Sequence, residues 1–232
     1  MVKIMQCWDD GVVSDLRLME LLRKYQAKAT FNLNPGFYEE KRGVARWAPK
    51  GYAGWSCRGF IDGKVGKNEL REVYSGFQVA SHCMRHEGAG QVPDAEFVRA
   101  ALEARHYLED LFQRPCRGFA WPGGLYTRTT ADALLAAGFA YGRTVEASDH
   151  VAPCKQPMVL RPSCHFMDPD FYQRYAKAKS ENGIFYFWGH SYEMLDSEGL
   201  WGQMERKLQY LSEDPDAVWC DVIDIDWAGG NR

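Results

Sequence analysis

Short apolar runs alternate with amphipathic stretches along almost the whole chain, and that alternation restricts it to a small set of folds. Val2 to Trp8 reads as a strand, and Asp15 to Tyr25 as a helix with Leu16, Met19, Leu21 and Leu22 at helical spacing. Ala29 to Leu33 and Phe77 to Ala80 predict further strands. Asp94 to Phe112, opened by Pro93, predicts a long helix with Phe97, Ala101, Leu102, Leu108 and Leu111 on one side. Arg117 to Trp121, Ala140 to Val145, Ile184 to Trp188 and Val218 to Ile225 continue the strands. Helices are expected over Thr129 to Ala137, closed by Gly138, and over Leu200 to Leu211. Repeated β-α units imply an α/β fold with a parallel sheet, in which ligands gather where strands end. The 232 residues read as one domain, 1–232.

Chemistry-bearing residues stand at those strand ends. Asp9 and Asp10 follow the first strand and precede Gly11, His82 and His86 follow the third, Pro122 follows the next, and His190 closes the aromatic run FYFWGH. One aspartate and two histidines form a three-ligand set, open at a fourth position, that a metal needs to hold both water and substrate. Successive residues at a strand end diverge, so only one aspartate faces the metal. Asp10 is the expected ligand and Asp9 the base, with the reverse assignment open. A helix over Ser81 to Glu87 would place His82 and His86 on one face. Such a set suits a divalent ion, with zinc the first expectation and cobalt, nickel, iron or manganese also compatible. His190 is the expected general acid, because an imidazolium can protonate a departing amine near neutral pH. Among the other histidines, His165 in RPSCHFMD is placed to join a site, whereas His106 falls within the long helix and His150 in an irregular segment. Trp121, Trp188 and Tyr192 flank these positions, either to stack on a sugar or to pack the core.

A net charge of -3, with Lys and Arg scattered, leaves no electrostatic footprint for nucleic acid or an anionic membrane. The expected partner is a small molecule or an oligosaccharide. The opening MVKIMQCWDDG reads as neither a signal peptide nor an anchor, so a cytoplasmic protein is expected. Seven cysteines without a C-x-x-C pair read as scattered reduced thiols. Two stretches resist assignment. Asn34 to Lys67 carries Trp47, Tyr52, Trp55 and Phe60, which either roof a site or pin the loop to the body; Glu146 to Asp170 is broken by Pro153, Pro157, Pro162 and Pro169.

These motifs resemble the polysaccharide deacetylase family, the NodB-homology carbohydrate esterases of family 4. CWDDG (7–11) is similar to its first motif, usually Thr-Phe-Asp-Asp-Gly; KATF (28–31) to its second strand; SHCMRH (81–86) to its histidine motif. AWPGG (120–124) falls where the family has Arg-Pro-Pro-Tyr-Gly, and WGH (188–190) where it has Leu-x-His. The resemblance implies a distorted (β/α)7 barrel and metal-dependent removal of acetyl groups, mostly from N-acetylated sugars. It also implies that Asp10, His82 and His86 hold the metal, Asp9 is the base and His190 the acid.

Departures from the pattern are as informative. The family's arginine, which braces the base, is Ala120 here, and its tyrosine, whose N–H helps bind the oxyanion, is Gly123, which keeps the N–H. Arg117, Arg143 or Arg161 is expected to brace Asp9 instead. The Asp-x-x-Asp-Trp motif that tunes the acid has only Glu146 to His150 as a counterpart, since Asp221 to Trp227 lies beyond His190 and reads as a closing strand. The expected substrate is an N-acetylated sugar or related small glycoconjugate. Alternatives are another C–N or ester bond, such as a cyclic amide, on the same barrel, or an inactive sugar-binding module.

Overall fold

The computed structural model describes residues 1–47, 60–151, 154, 156–195 and 197–227. In chain order the strands are β1 (Val2–Asp9), β2 (Thr30–Leu33), β3 (Arg46–Trp47), β4 (Phe60–Ile61), β5 (Gln78–Ser81), β6 (Gly118–Ala120), β7 (Tyr141–Arg143), β8 (Cys164–His165), β9 (Ile184–Gly189) and β10 (Ala217–Trp219). The β3–β4 pair is a separate antiparallel ribbon. The others form one parallel sheet in the order β7-β6-β5-β2-β1-β9-β8, with β10 also on β1. Leu160 bridges to Arg143 of β7, while Cys164 and His165 pair with β9, so residues 160–165 tie the two ends of the curled sheet together. This is the parallel α/β architecture that the alternating pattern implies, curled as the resemblance to the deacetylases implies.

β1 is the hub. All its residues but Lys3 are buried, as a parallel strand covered on both faces requires. Its alternation separates two cores: Val2, Ile4 and Trp8 pack outward beneath the helices, whereas Met5 and Cys7 join Tyr141, Leu160, Tyr186, Val222 and Trp227 inside the curl. Asp9 follows Met5 and Cys7 on that inward phase, and Arg143 follows Tyr141 in the same way. The pleat therefore carries both side chains into the mouth of the barrel.

The helices are α1 (Asp15–Lys24), α2 (Leu70–Val73), α3 (Asp94–Phe112), α4 (Arg128–Ala136), α5 (Phe171–Ser180) and α6 (Glu198–Ser212). α3 has the expected bounds, and α4 is capped by the Thr127 hydroxyl, which accepts from Thr130 N–H at 3.0 Å. Two expectations need correction. The strand expected to run to Ile225 ends at Trp219, because Asp221 and Asp224 turn toward Lys28 Nζ (3.2 and 3.5 Å) and the chain enters a short 3-10 turn over Val222–Asp224. Within and just after the proline-broken stretch, β8 and α5 form, and α5 buries Phe171, Tyr175 and Ala178 on one face.

Tyr52, Trp55, Cys57 and Pro153 lie outside the described residues, and Trp47 is exposed. The end of that long segment does reach the site: Lys64 bridges to Val12 and Val65 N–H donates to Gly11 O. Among the described residues the six cysteines are unpaired, and no helix is long and apolar enough to cross a membrane.

Candidate active site

Asp9 sits at the barrel mouth with its charge matched from two other strands. Arg143 Nη2 lies 2.6 and 2.5 Å from its two carboxylate oxygens, and Asn32, its register partner on β2, donates Nδ2–H to Oδ1 at 2.7 Å. The side chains of Arg143 and Asp9 are only 1% and 3% exposed. Burial opposes ionisation of Asp9, but the Arg143 guanidinium, with His82, His190 and the Asn32 hydrogen bond adding to it, holds the carboxyl far below the usual carboxylate range. Arg143 is therefore the brace among the three arginines considered. It is the register partner of Ala120, so the guanidinium arrives one strand over at the same level of the barrel. Arg117 lies at the opposite end of β6 and donates to Gly138 O, and Arg161 is exposed beside Glu146 (2.9 Å); neither reaches Asp9.

Asp10 diverges from Asp9 because the chain leaves β1 through two left-handed residues, Asp10 at φ 82° and Gly11 at φ 62°. A Cβ at Gly11 would lie 1.9 Å from Tyr38 Oη, so the turn demands glycine twice over. Lys64 Nζ donates to Asp10 O at 2.7 Å and lies 3.8 Å from Oδ1. Burial opposes the charge on Asp10, yet Lys64, His190 and His82 together keep its carboxyl below the ordinary value. Asp10 Oδ1 is buried and takes part in no hydrogen bond among the described residues.

His82 and His86 meet without a helix. Cys83 (φ 62°) and His86 (φ 57°) are left-handed, so the segment folds back as a loop, with the two rings 4.8 Å apart and nearly perpendicular. Asn34 Nδ2 donates to His82 O and helps fix the loop. His82 Nδ1 donates to Ala120 O at 2.8 Å; a carbonyl only accepts, so Nδ1 carries the proton and Nε2 presents its lone pair. Burial drives His82 down to about 4, against the pull of Asp9, so the ring is neutral near pH 7. Ligand atoms of Asp10, His82 and His86 all lie within 4.8 Å of one another. An orphaned buried carboxylate oxygen and a ring nitrogen of fixed tautomer are the donors a divalent cation requires.

His190 stands across the pocket, its Nε2 3.9 Å from Asp9 Oδ2. Burial would lower its basicity, but the Glu193 hydrogen bond and the charges of Asp10 and Asp9 prevail and raise it. Its partner is not the one sought in the sequence. Asp149 pairs with Arg174 and Lys177 on α5, and Glu146 with Arg161, all at the surface. Glu193 accepts from His190 instead, and His165 joins the same carboxylate.

The lining of this pocket of about 380 Å³ comprises Asp9, Asp10, His82, His86, Trp121, Gly123, Val145, Trp188, His190 and Tyr192. Its size falls within the roughly 300–1,000 Å³ of small-ligand sites. Pro122 is buried and is not part of the wall. Trp121 is chiefly a core residue, stacked on Phe97 at 5.5 Å and donating to Met158 O. Trp188 carries the Arg143 guanidinium 4.7 Å above its ring and meets both His165 and His190. Tyr192, 4.8 Å from the His190 ring, is the aromatic of the rim. Asn32, Lys64, Val145 and Glu193 escaped the sequence reading. For Asn32 a signal was present, since an asparagine inside the otherwise apolar strand Ala29 to Leu33 needs a partner once buried.

A search of curated protein sequences gave no match. Among solved structures, the fold resembles a candidate polysaccharide deacetylase from Mycobacterium smegmatis (TM-score 0.65, 14% identity, 96% of this chain and 87% of that one). It also resembles a family 4 acetyl xylan esterase from Clostridium thermocellum in complex with a cobalt ion (0.54, 14%, 96% and 89%). The Streptococcus pyogenes deacetylase PplD, in complex with acetate, matches over 67% of this chain and 61% of its own length (0.52, 18% identity). The family model described as polysaccharide deacetylase matches residues 2–142, more than half of the chain and the part that holds Asp9, Asp10, His82 and His86. By that match the chain belongs to the polysaccharide deacetylase family.

Proposed function

We propose that this chain is a metal-dependent hydrolase that removes the acetyl group from the nitrogen of an N-acetylated sugar or a related small glycoconjugate. The observation that carries this reading is the meeting, in one pocket, of the Asp10–His82–His86 ligand set with an ionised Asp9 and a His190 inclined to hold its proton. A divalent ion held by Asp10, His82 and His86, zinc first and cobalt, nickel, iron or manganese also suited, would supply an acidified water of pKa roughly 7 and polarise the acyl carbonyl. Asp9 takes the proton of the attacking water, its oxygens aimed by Arg143 and Asn32. The N–H of Gly123 donates to the oxyanion, a contribution worth roughly 3 kcal/mol where such donors have been removed. His190 Nε2 gives its proton to the departing nitrogen, and acetate is left behind. An amine leaves an acyl carbon only once protonated, whereas an alkoxide depends far less on the acid; a His190 tuned upward therefore favours a nitrogen-borne acetyl group.

The test is acetate release from a panel of N-acetylated and O-acetylated mono- and oligosaccharides by zinc- or cobalt-loaded protein, with Asp9→Asn and metal-stripped protein as controls. Release from N-acetyl substrates that both controls abolish is the expected outcome. Faster release from O-acetyl sugars would make the protein an esterase, and turnover of cyclic amides alone would move it to another C–N bond.

A further inference from the structure

The turn after His190 contains an arrangement that the reaction above does not by itself require. Glu193 Oε2 accepts from His190 Nδ1 (3.2 Å), from His190 backbone N–H (2.9 Å) and from His165 Nε2 (2.9 Å). The His165 tautomer is set by its other nitrogen, since Nδ1 accepts from Met167 N–H at 3.3 Å and Nε2 therefore carries the hydrogen that Glu193 receives. An ionised carboxylate only accepts, so His190 Nδ1 must be protonated and Nε2 is the nitrogen turned to the pocket. Glu193 and His165 side chains are 15% and 24% exposed, at the edge of the site. Trp188 packs edgewise between the two imidazoles, its ring 4.8 Å from His165 and 5.6 Å from His190. Ser191 Oγ, next in the chain, donates to the buried Asp15 at 2.5 Å and anchors the start of the same turn.

We infer that Glu193, clamped by His165, is the positioning residue of the acid: it fixes the His190 ring and tautomer and holds the Nε2 proton facing the pocket. It does so from three residues along the same turn, while Asp149 is committed to Arg174 and Lys177. The same three side chains also satisfy the spacing of a cation site, with ligand atoms within 4.8 Å of one another. The pattern of donors and acceptors already accounts for that closeness. Among the described residues, the carboxylates acting on His190 are Asp9 and Asp10 from the end of β1 and Glu193 from its own turn, with the Tyr192 ring 4.8 Å away. The first two are the proposed base and metal ligand, so Glu193 is the carboxylate that can be altered without removing either.

The role as acid rests on the deacetylase reading; the clamp does not, and the experiment separates the two. In zinc-loaded protein, kcat and KM for the best substrate are measured from pH 5 to 10 for wild type, Glu193→Gln and Glu193→Asp, alongside the NMR titration of the His190 ring. Glu193→Gln should move the alkaline limb of kcat/KM and the His190 titration together to lower pH by at least about one pH unit, the scale for loss of a neighbouring opposite charge. It should lower kcat at pH 8 about tenfold while KM stays nearly constant. Glu193→Asp, which keeps the charge a methylene farther off, should fall between. A limb and a titration that both stay put in a folded Glu193→Gln protein would overturn the clamp and leave the deacetylase reading standing. If no substrate in the panel is turned over, that reading fails, and the His190 titration in the two variants still decides the clamp.

Discussion

The two halves of the pocket are built in different ways. On the proposed base side, Asp9, Asn32 and Arg143 project from the C-terminal ends of β1, β2 and β7, almost wholly buried, and their mutual register is the register of the sheet. On the acid side, His190, Glu193 and Ser191 lie in one turn after β9, joined by His165 at the end of β8, and the side chains of His190, Glu193 and His165 keep 15 to 24% of their exposure. A strand-borne charge cannot drift without slipping the sheet, so its partner can come from any neighbouring strand at the same level. A turn-borne charge has to be held by its own local hydrogen bonds. The difference teaches where this chain departs from the pattern its resemblance implies: Asp9 is braced by Arg143, the register partner of Ala120, and the carboxylate on His190, the proposed acid, is Glu193.

The largest effect should come from breaking the base side. Arg143→Met leaves the Asp9 carboxylate buried without its counter-charge, a loss of roughly 3–5 kcal/mol by the scale for half-broken buried pairs. Chemical denaturation should show that deficit at pH 7, and acetate release should fall to the level of Asp9→Asn. A variant as stable as wild type would mean that Asp9 is not held by Arg143. Asn32→Ala removes one hydrogen bond to a charged group and is expected to cost about 1.5–3 kcal/mol, readable by the same denaturation.

The acid side should respond to pH where the base side does not. Asp15, which anchors Ser191, is pushed by burial from an ordinary 3.8 up to about 7. Its folded-state value is raised, so the stability it contributes is complete below pH 3.8 and is lost as pH rises through about 7. Asp15→Asn should therefore flatten the fall in melting temperature across that window and make the variant the more stable protein at pH 8. Parallel curves for the two proteins would contradict the burial argument. The smallest effect should come from the rim: Tyr192→Phe keeps the ring and is expected to change KM by no more than about threefold, a shift below 1 kcal/mol that steady-state kinetics resolves.

Most of the framework was legible in the sequence because burial leaves a period behind. β1 reads as a largely apolar run broken only by Lys3 and Gln6 before Asp9, and α3 has its expected bounds because Pro93 opens it and the Phe97–Ala101–Leu108 stripe defines its face. α5 carried the same signal in Phe171, Tyr175 and Ala178, hidden by the prolines before it. The histidine pair shows the limit. His82 and His86 were visible by type, but a four-residue spacing that suggests a helix is realised by a loop with two left-handed residues, a conformation no periodicity reports. Arg143 was one of three arginines until the pairing of β6 with β7 singled it out, since strand register is a tertiary fact. Glu193 was invisible because a glutamate three residues after a histidine is ordinary until a second histidine arrives from another strand.

The most direct test of the account is to measure metal content and turnover together in Asp9→Asn and Asp10→Asn, each reloaded with zinc. The account predicts that Asp9→Asn retains one ion per chain and loses acetate release, whereas Asp10→Asn loses both. An Asp10→Asn protein that still holds its ion, or a metal-stripped wild type that still releases acetate, would contradict it.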